Sequence, residues 1–187
     1  MTPVNQNGSG YTVSKDQGVV IGYYYSNGVM HAFENGISPP TAGGYMTLPS
    51  VQCCFRATSA WGITGDNTMI FGNSTMSGGT THPTMWRLDH NSIGWPVWRA
   101  TDLGVPGGSG SGSINDVNEW GTYAVGGSVT GQGQSLAFLW QSGGLGITAL
   151  PAPPGNCGNT ANGINGVEEI VGKACGANGQ AHAMLWT

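Results

Sequence analysis

The 187-residue chain carries five Lys and Arg against nine Asp and Glu, a net charge of −4, and only 7% of its residues are charged. A typical soluble domain has about 25%, so there is no concentrated basic surface for nucleic acid. Nor does any run approach the roughly 20 apolar residues of a membrane-spanning helix. With 9% aromatic residues and patterned apolar runs, the chain is not of the disordered type, and its length suits one domain that buries about 70% of its unfolded surface.

Read in order, the chain says nearly the same thing four times. The N-terminal Met1–Asn5 precedes the first unit and has neither a basic nor an apolar segment, so it does not read as a signal peptide. The first unit runs from Val13 to Phe33 and adds a strand at Tyr45–Pro49. A second repeats the pattern from Gly62 to Trp86, with a further strand at Ala100–Gly104, and a third from Ser113 to Trp140, with Ile147–Pro151. The fourth, Gly163 to Trp186, lacks that last strand because the sequence stops at Thr187. One glycine closes the second apolar run of every unit, Gly22, Gly72, Gly126 and Gly172, and the next run starts nine or ten residues later at His31, His82, Leu136 or His182. A period of about 50 residues belongs to propeller blades.

Within each unit, short alternating runs are separated by Gly, Asn, Asp and Ser, the punctuation of antiparallel hairpins. Glycine, 34 residues of the chain, is too frequent for helix interiors, where each costs about 1 kcal/mol against alanine. The expected fold is therefore all-β: a single four-unit β-propeller-like repeat domain of antiparallel four-stranded sheets. The units span about 11–49, 58–106, 111–151 and 159–187. Residues 1–6 are expected to complete the last unit, which would remove two exposed sheet edges.

The repeated residues carry a resemblance. Gly163-Ile-Asn165 with Ile170-Val-Gly172, His31-Ala-Phe33, Ala137-Phe-Leu-Trp140 and His182-Ala-Met-Leu-Trp186 resemble the HAF-repeat family over nearly the whole chain. The second unit departs from its pattern, with Pro83-Thr-Met-Trp86 followed by an insertion. The resemblance implies propeller-like β-structure and a bacterial, extracellular setting, and says almost nothing about activity.

Candidate sites divide into repeated and non-repeated residues. Trp86, Trp140 and Trp186 recur at the end of the third strand and read as wedges between blades. His31, His82 and His182 share one repeat position, but Leu136 fills it in the third unit, which favours a structural role over a metal ring. Asp16, Asp66 and Asp116 follow the first strand of their units and read as turn caps. Cys53-Cys54 is adjacent and strained as a bridge; Cys157 and Cys175 are open to a disulfide or to life as buried thiols. The non-repeated Trp95 and Trp98, in the insertion Asp89–Trp98, and the run Tyr23-Tyr24-Tyr25 are the candidate partner-binding residues. Insertions in repeat proteins map to loops, often on the binding face.

No nucleophile–base pair stands out. Gly108-Ser-Gly-Ser-Gly112 matches an esterase string by composition alone, and Glu168-Glu169 would point to opposite faces of a strand. No catalytic residue, metal or cofactor is expected. The leading expectation is a non-enzymatic structural or recognition protein exposed on a virion surface, as a capsid-decorating or fibre component. Its partners would be other virion or surface proteins, or a glycan, with homo-oligomerisation open. The alternatives are a secreted or cell-surface repeat domain that binds glycan or protein and, third, a glycan-active hydrolase.

Overall fold

Each apolar run forms a strand, and each strand stops where turn residues begin. The structure, a computed structural model, describes residues 7–14, 18–36, 45–52, 56–144, 146–155 and 157–187. The pairing of Met1–Asn5 with the last unit, the Asp16 cap and the Cys53-Cys54 pair lie outside the described residues.

The first sheet contains β1 (Gly8–Val13), β2 (Val20–Ser26), β3 (Val29–Asn35) and β4 (Met46–Thr47). The second contains β5 (Thr58–Ile63), β6 (Met69–Thr75), β7 (Thr81–His90) and β8 (Pro96–Asp102). The third contains β9 (Ser111–Val117), β10 (Tyr123–Val129), β11 (Ser135–Gln141) and β12 (Gly146–Ala149). The fourth contains β13 (Asn159–Ile164), β14 (Ile170–Cys175) and β15 (Ala181–Trp186). Strands within each sheet are paired antiparallel in chain order, and a single 3₁₀ turn, Pro106–Gly108, is the one helical element among the described residues. The β2–β3 hairpin turns on Asn27-Gly28, both at positive φ (51° and 75°), the backbone that a two-residue hairpin of native twist requires.

The chain is thus an all-β, propeller-like stack of four blades. Its core lies between blades. Ile21, Ala32 and Leu48 of the first pack on Ala60, Ile70, Trp86 and Trp98 of the second. Phe71 meets Ile114, Ala124, Phe138 and Trp140 of the third, and Val125 and Ala137 meet Ala161, Ile170 and Trp186 of the fourth. The repeated tryptophans are inter-blade wedges whose indole N–H is satisfied as burial demands. Trp86 Nε1 donates to the Pro49 carbonyl (2.6 Å) and Trp186 Nε1 to the Pro151 carbonyl (2.8 Å), each on the preceding blade. Buried side chains also join each pair of blades: Thr58 Oγ1 accepts from Ala32 N, Asn73 Oδ1 from Ile114 N and Asn159 Oδ1 from Ala137 N, at 2.7–3.0 Å.

The anchor glycines have a common cause. In every blade the first strand bulges opposite that glycine, with Tyr11, Trp61, Asn115 and Asn162 as the extra residues. The bulge tips the first strand so that a carbonyl, of Ser9, Ser59, Ser113 or Thr160, lies where a Cβ on Gly22, Gly72, Gly126 or Gly172 would stand.

The repeat also exposes an asymmetry. Ile21, Phe71 and Val125 precede the anchor glycines and are fully buried, whereas the equivalent Val171 is 52% exposed. Leu185, the residue before the closing tryptophan, is 59% exposed, while its equivalents Ala32, Met85 and Leu139 all pack into inter-blade clusters. Cys157 and Cys175 form a disulfide within this fourth blade, their Cα atoms 5.2 Å apart.

Two expected partner-binding residues are instead core. Trp98 is 6% exposed between blades 1 and 2, because alternation along β8 turns it and Ala100 inward. Tyr24 is 8% exposed. It faces the opposite side of β2 from Tyr23 and Tyr25, in an aromatic cluster with Phe33, Tyr45 and His31. The insertion is not a loose loop but an extension of the β7–β8 hairpin, in register out to His90 opposite Pro96.

Candidate recognition site

The first strands β1, β5, β9 and β13 neighbour one another in that order and end around one cavity of about 450 Å³. The turn after each is held by one repeated device. Ser14 Oγ, Thr64 Oγ1, Asn118 Oδ1 and Asn165 Oδ1 accept the N–H of Val19, Met69, Tyr123 and Glu169, respectively, at 3.0–3.2 Å. These are the equivalent caps; of the expected aspartates Asp66 also caps its turn, whereas Asp116 does not. Asp66 works beside Thr64: it accepts from Thr64 Oγ1 (2.6 Å) and Thr68 N (3.0 Å). Burial alone would raise its carboxyl, but these hydrogen bonds outweigh it and hold the pKa below the usual value. Asp116 is a strand residue that bridges blades, its Oδ2 accepting from Ile164 N at 2.9 Å.

Thr12, Trp61, Thr64, Asp116, Glu119 and Asn165 supply the chemistry of the cavity wall. Trp61 is fixed by donation from Nε1 to Ser59 Oγ (3.1 Å). From it an aromatic ladder runs outward over blade 1. Trp61 and Tyr11 have ring centroids 4.1 Å apart, Tyr11 and Tyr23 5.4 Å, and Tyr23 and Tyr25 5.6 Å. Tyr11 is 42% and Tyr25 46% exposed. Burial and then its hydrogen bond with Tyr23 push the Tyr11 phenol above its ordinary pKa, while hydrogen bonds with Tyr11 and Ser9 lower that of Tyr23.

The ladder includes two of the expected residues, Tyr23 and Tyr25. Trp95, 57% exposed beside Ile93, caps the hairpin between the outer strands of blade 2 and is not joined to it. Sequence reasoning missed Tyr11 and Trp61. Their signal was positional: each precedes a pair, Thr12-Val13 or Gly62-Ile63, equivalent to the repeated Gly163-Ile164. It also missed Trp120, next to Glu119, whose ring lies over Gly166 at the cavity wall.

The cavity end is acidic. Asp116 and Glu119 line it, and Asp66, Glu168 and Glu169 sit on the adjoining turns. No described Lys, Arg or His lines it. The repeated histidines His31, His82 and His182 lie on third strands and none lines the cavity; His82 pairs with Asp102 (2.9 Å). Ser74 lies opposite His82 in register, and its buried hydroxyl makes no hydrogen bond among the described residues. Among the described residues no cluster of three metal-ligating side chains occurs, and no helix is long and apolar enough to cross a membrane.

Stacked antiparallel blades around an axial cavity define a propeller-type protein. No protein-family model matches the chain, and no curated protein matches it in sequence. Among solved structures, the crystal structure of TolB from Acinetobacter baumannii is similar, with 13% sequence identity and a TM-score of 0.53. The likeness covers 96% of this chain and 43% of that one. At this identity it shows the β-propeller fold and no more, and the chain spans less than half the length of that protein.

Proposed function

We propose that the chain is a non-enzymatic recognition protein exposed on a virion surface, as a decoration or fibre component, and that it binds glycan along the ladder. The single observation that carries the glycan reading is the run Tyr25–Tyr23–Tyr11–Trp61, exposed at Tyr25 and Tyr11 and half-buried at Tyr23 and Trp61, ending at a polar cavity. The C–H face of a pyranose packs on an aromatic ring, while its hydroxyls need polar partners at the rim. The ladder supplies the first and Thr12 and Asn165 the second. The virion setting rests on composition, a polar surface with 7% charge. A second reading, a secreted or cell-surface bacterial repeat domain, draws on the family resemblance and on the Cys157–Cys175 disulfide, since such bonds persist outside the reducing cytosol.

The test is a saccharide array followed by titration calorimetry, with mass spectrometry of purified particles for the setting. Tyr25→Ala alters an exposed residue and leaves folding intact. It is expected to weaken saccharide binding by roughly fivefold, the scale of an aromatic contact worth about 1 kcal/mol. Absence of saccharide binding by the wild-type protein overturns the glycan reading.

A further inference from the structure

We infer that the axial cavity receives the ammonium group of an amino sugar, so that the domain selects glycans with free amines over their N-acetylated and carboxylated counterparts. The inference rests on the glycan reading above and adds the chemistry that chooses among glycans.

Two kinds of group meet in the cavity, an aromatic ring and carboxylates. Trp61 forms one wall, with its indole oriented by Ser59. Trp120 stands behind that lining, its ring over Gly166 of the wall and next to Glu119 in sequence. An ammonium placed against such a ring is attracted by its quadrupole, and a nearby carboxylate adds to the attraction. Most acids at this end are already engaged. Asp66 holds Thr64 and Thr68, and Asp116 holds Val117 and Ile164. Glu168 accepts from the Tyr123 hydroxyl, and Glu169 from Asn165 Nδ2 (2.6 Å). Glu119 differs: its side chain lies along Gly65 at the cavity wall, and no hydrogen bond among the described residues engages its carboxylate.

The field acts in the same direction. Of the described cations, Arg56 precedes β5 and Lys173 lies in the latter half of β14, both at the other end of their blades, and Arg87 and Arg99 are on the outer strands of blade 2. Lys15, beside Ser14 in sequence, lies outside the described residues and is followed by Asp16. A ligand carboxylate would meet only like charge along the described wall, whereas an amine would be steered inward and held.

The experiment uses the full chain and two probes, a β-linked glucosamine tetramer and the same tetramer fully N-acetylated, titrated calorimetrically at low and high salt. A galacturonate tetramer is the anionic control. The amine form is expected to bind about tenfold tighter than the acetylated form at low salt, a preference that shrinks as salt screens it. Glu119→Gln should cut the preference several-fold, the other carboxylates keeping their charge, and affect the acetylated tetramer less than the amine form; Tyr25→Ala should weaken both equally. If the two tetramers bind wild type equally, or Glu119→Gln leaves the preference intact, the ammonium site is refuted and glycan binding stands. If none of the tetramers binds, the ammonium site is refuted, and the saccharide array alone decides the glycan reading.

Discussion

The anchor glycines make the fold falsifiable at a single atom. In Gly126→Ala the new Cβ would stand far inside contact distance of the Ser113 carbonyl oxygen and 2.8 Å from the Phe138 ring. Neither neighbour can swing away. The carbonyl belongs to the bulge in β9 and the ring is fully buried between blades 2 and 3. Overpacking of this kind costs about 1–3 kcal/mol, and relief by opening the bulge gives up ladder hydrogen bonds worth about 1 kcal/mol each. The expected loss is about 3 kcal/mol. With a urea m-value near 2 kcal/mol/M, the midpoint should fall by about 1.5 M, followed by tryptophan fluorescence. Gly78→Ala is the control, because nothing lies within 4 Å of its Cβ position and its φ is not positive. Equal midpoints for the two variants would refute the account of why these glycines recur.

The two insertion tryptophans should separate in the same assay. Trp98→Ala empties a core position and should cost about 3–5 kcal/mol, whereas Trp95→Ala should stay within about 0.5 kcal/mol; similar costs would mean that β8 is assigned the wrong parity. Asp66 should give acid sensitivity. Its folded pKa is depressed, so its contribution is present above the ordinary carboxylate range and lost as pH falls through the folded value. Denaturation midpoints measured from pH 7 downward should therefore drop less steeply in Asp66→Asn than in wild type, and parallel curves would contradict this.

Strand order, hairpin pairing and blade count were legible because a bulge, a turn and a close approach each demand particular residues. Gly22, Gly72, Gly126 and Gly172 fix register, and Asn27-Gly28 fixes a hairpin. The roles of the tyrosines were half legible. Alternation alone separates Tyr24 from Tyr23 and Tyr25 but does not say which side is covered. The ladder was not legible, since Tyr11 and Trp61 occupy bulges, where period-two reading breaks down and adjacent residues cease to alternate. Asp66 caps its turn as expected, but the Asp116 cap was misread for a related reason: Asp116 follows its bulge and is carried across to Ile164, leaving the turn to Asn118. Trp98 misled because it stands in the least repeated segment, where no equivalent position in another blade hinted at its burial.

The uneven coverage of the fourth blade has a dynamic consequence. In a stack of nearest-neighbour interfaces, each unit is held by the faces it shares. Among the described residues, blade 4 shares one apolar face, toward blade 3, while Val171 and Leu185 face outward. It gives up the least when it lifts away. The Cys157–Cys175 bond ties the chain entering β13 to the end of β14, so a lifted blade keeps its first two strands linked across a sequence separation of 18 residues. Its return then brings back two strands that are already linked. Among the described residues, the covalent bond lies in the blade with the thinnest packing.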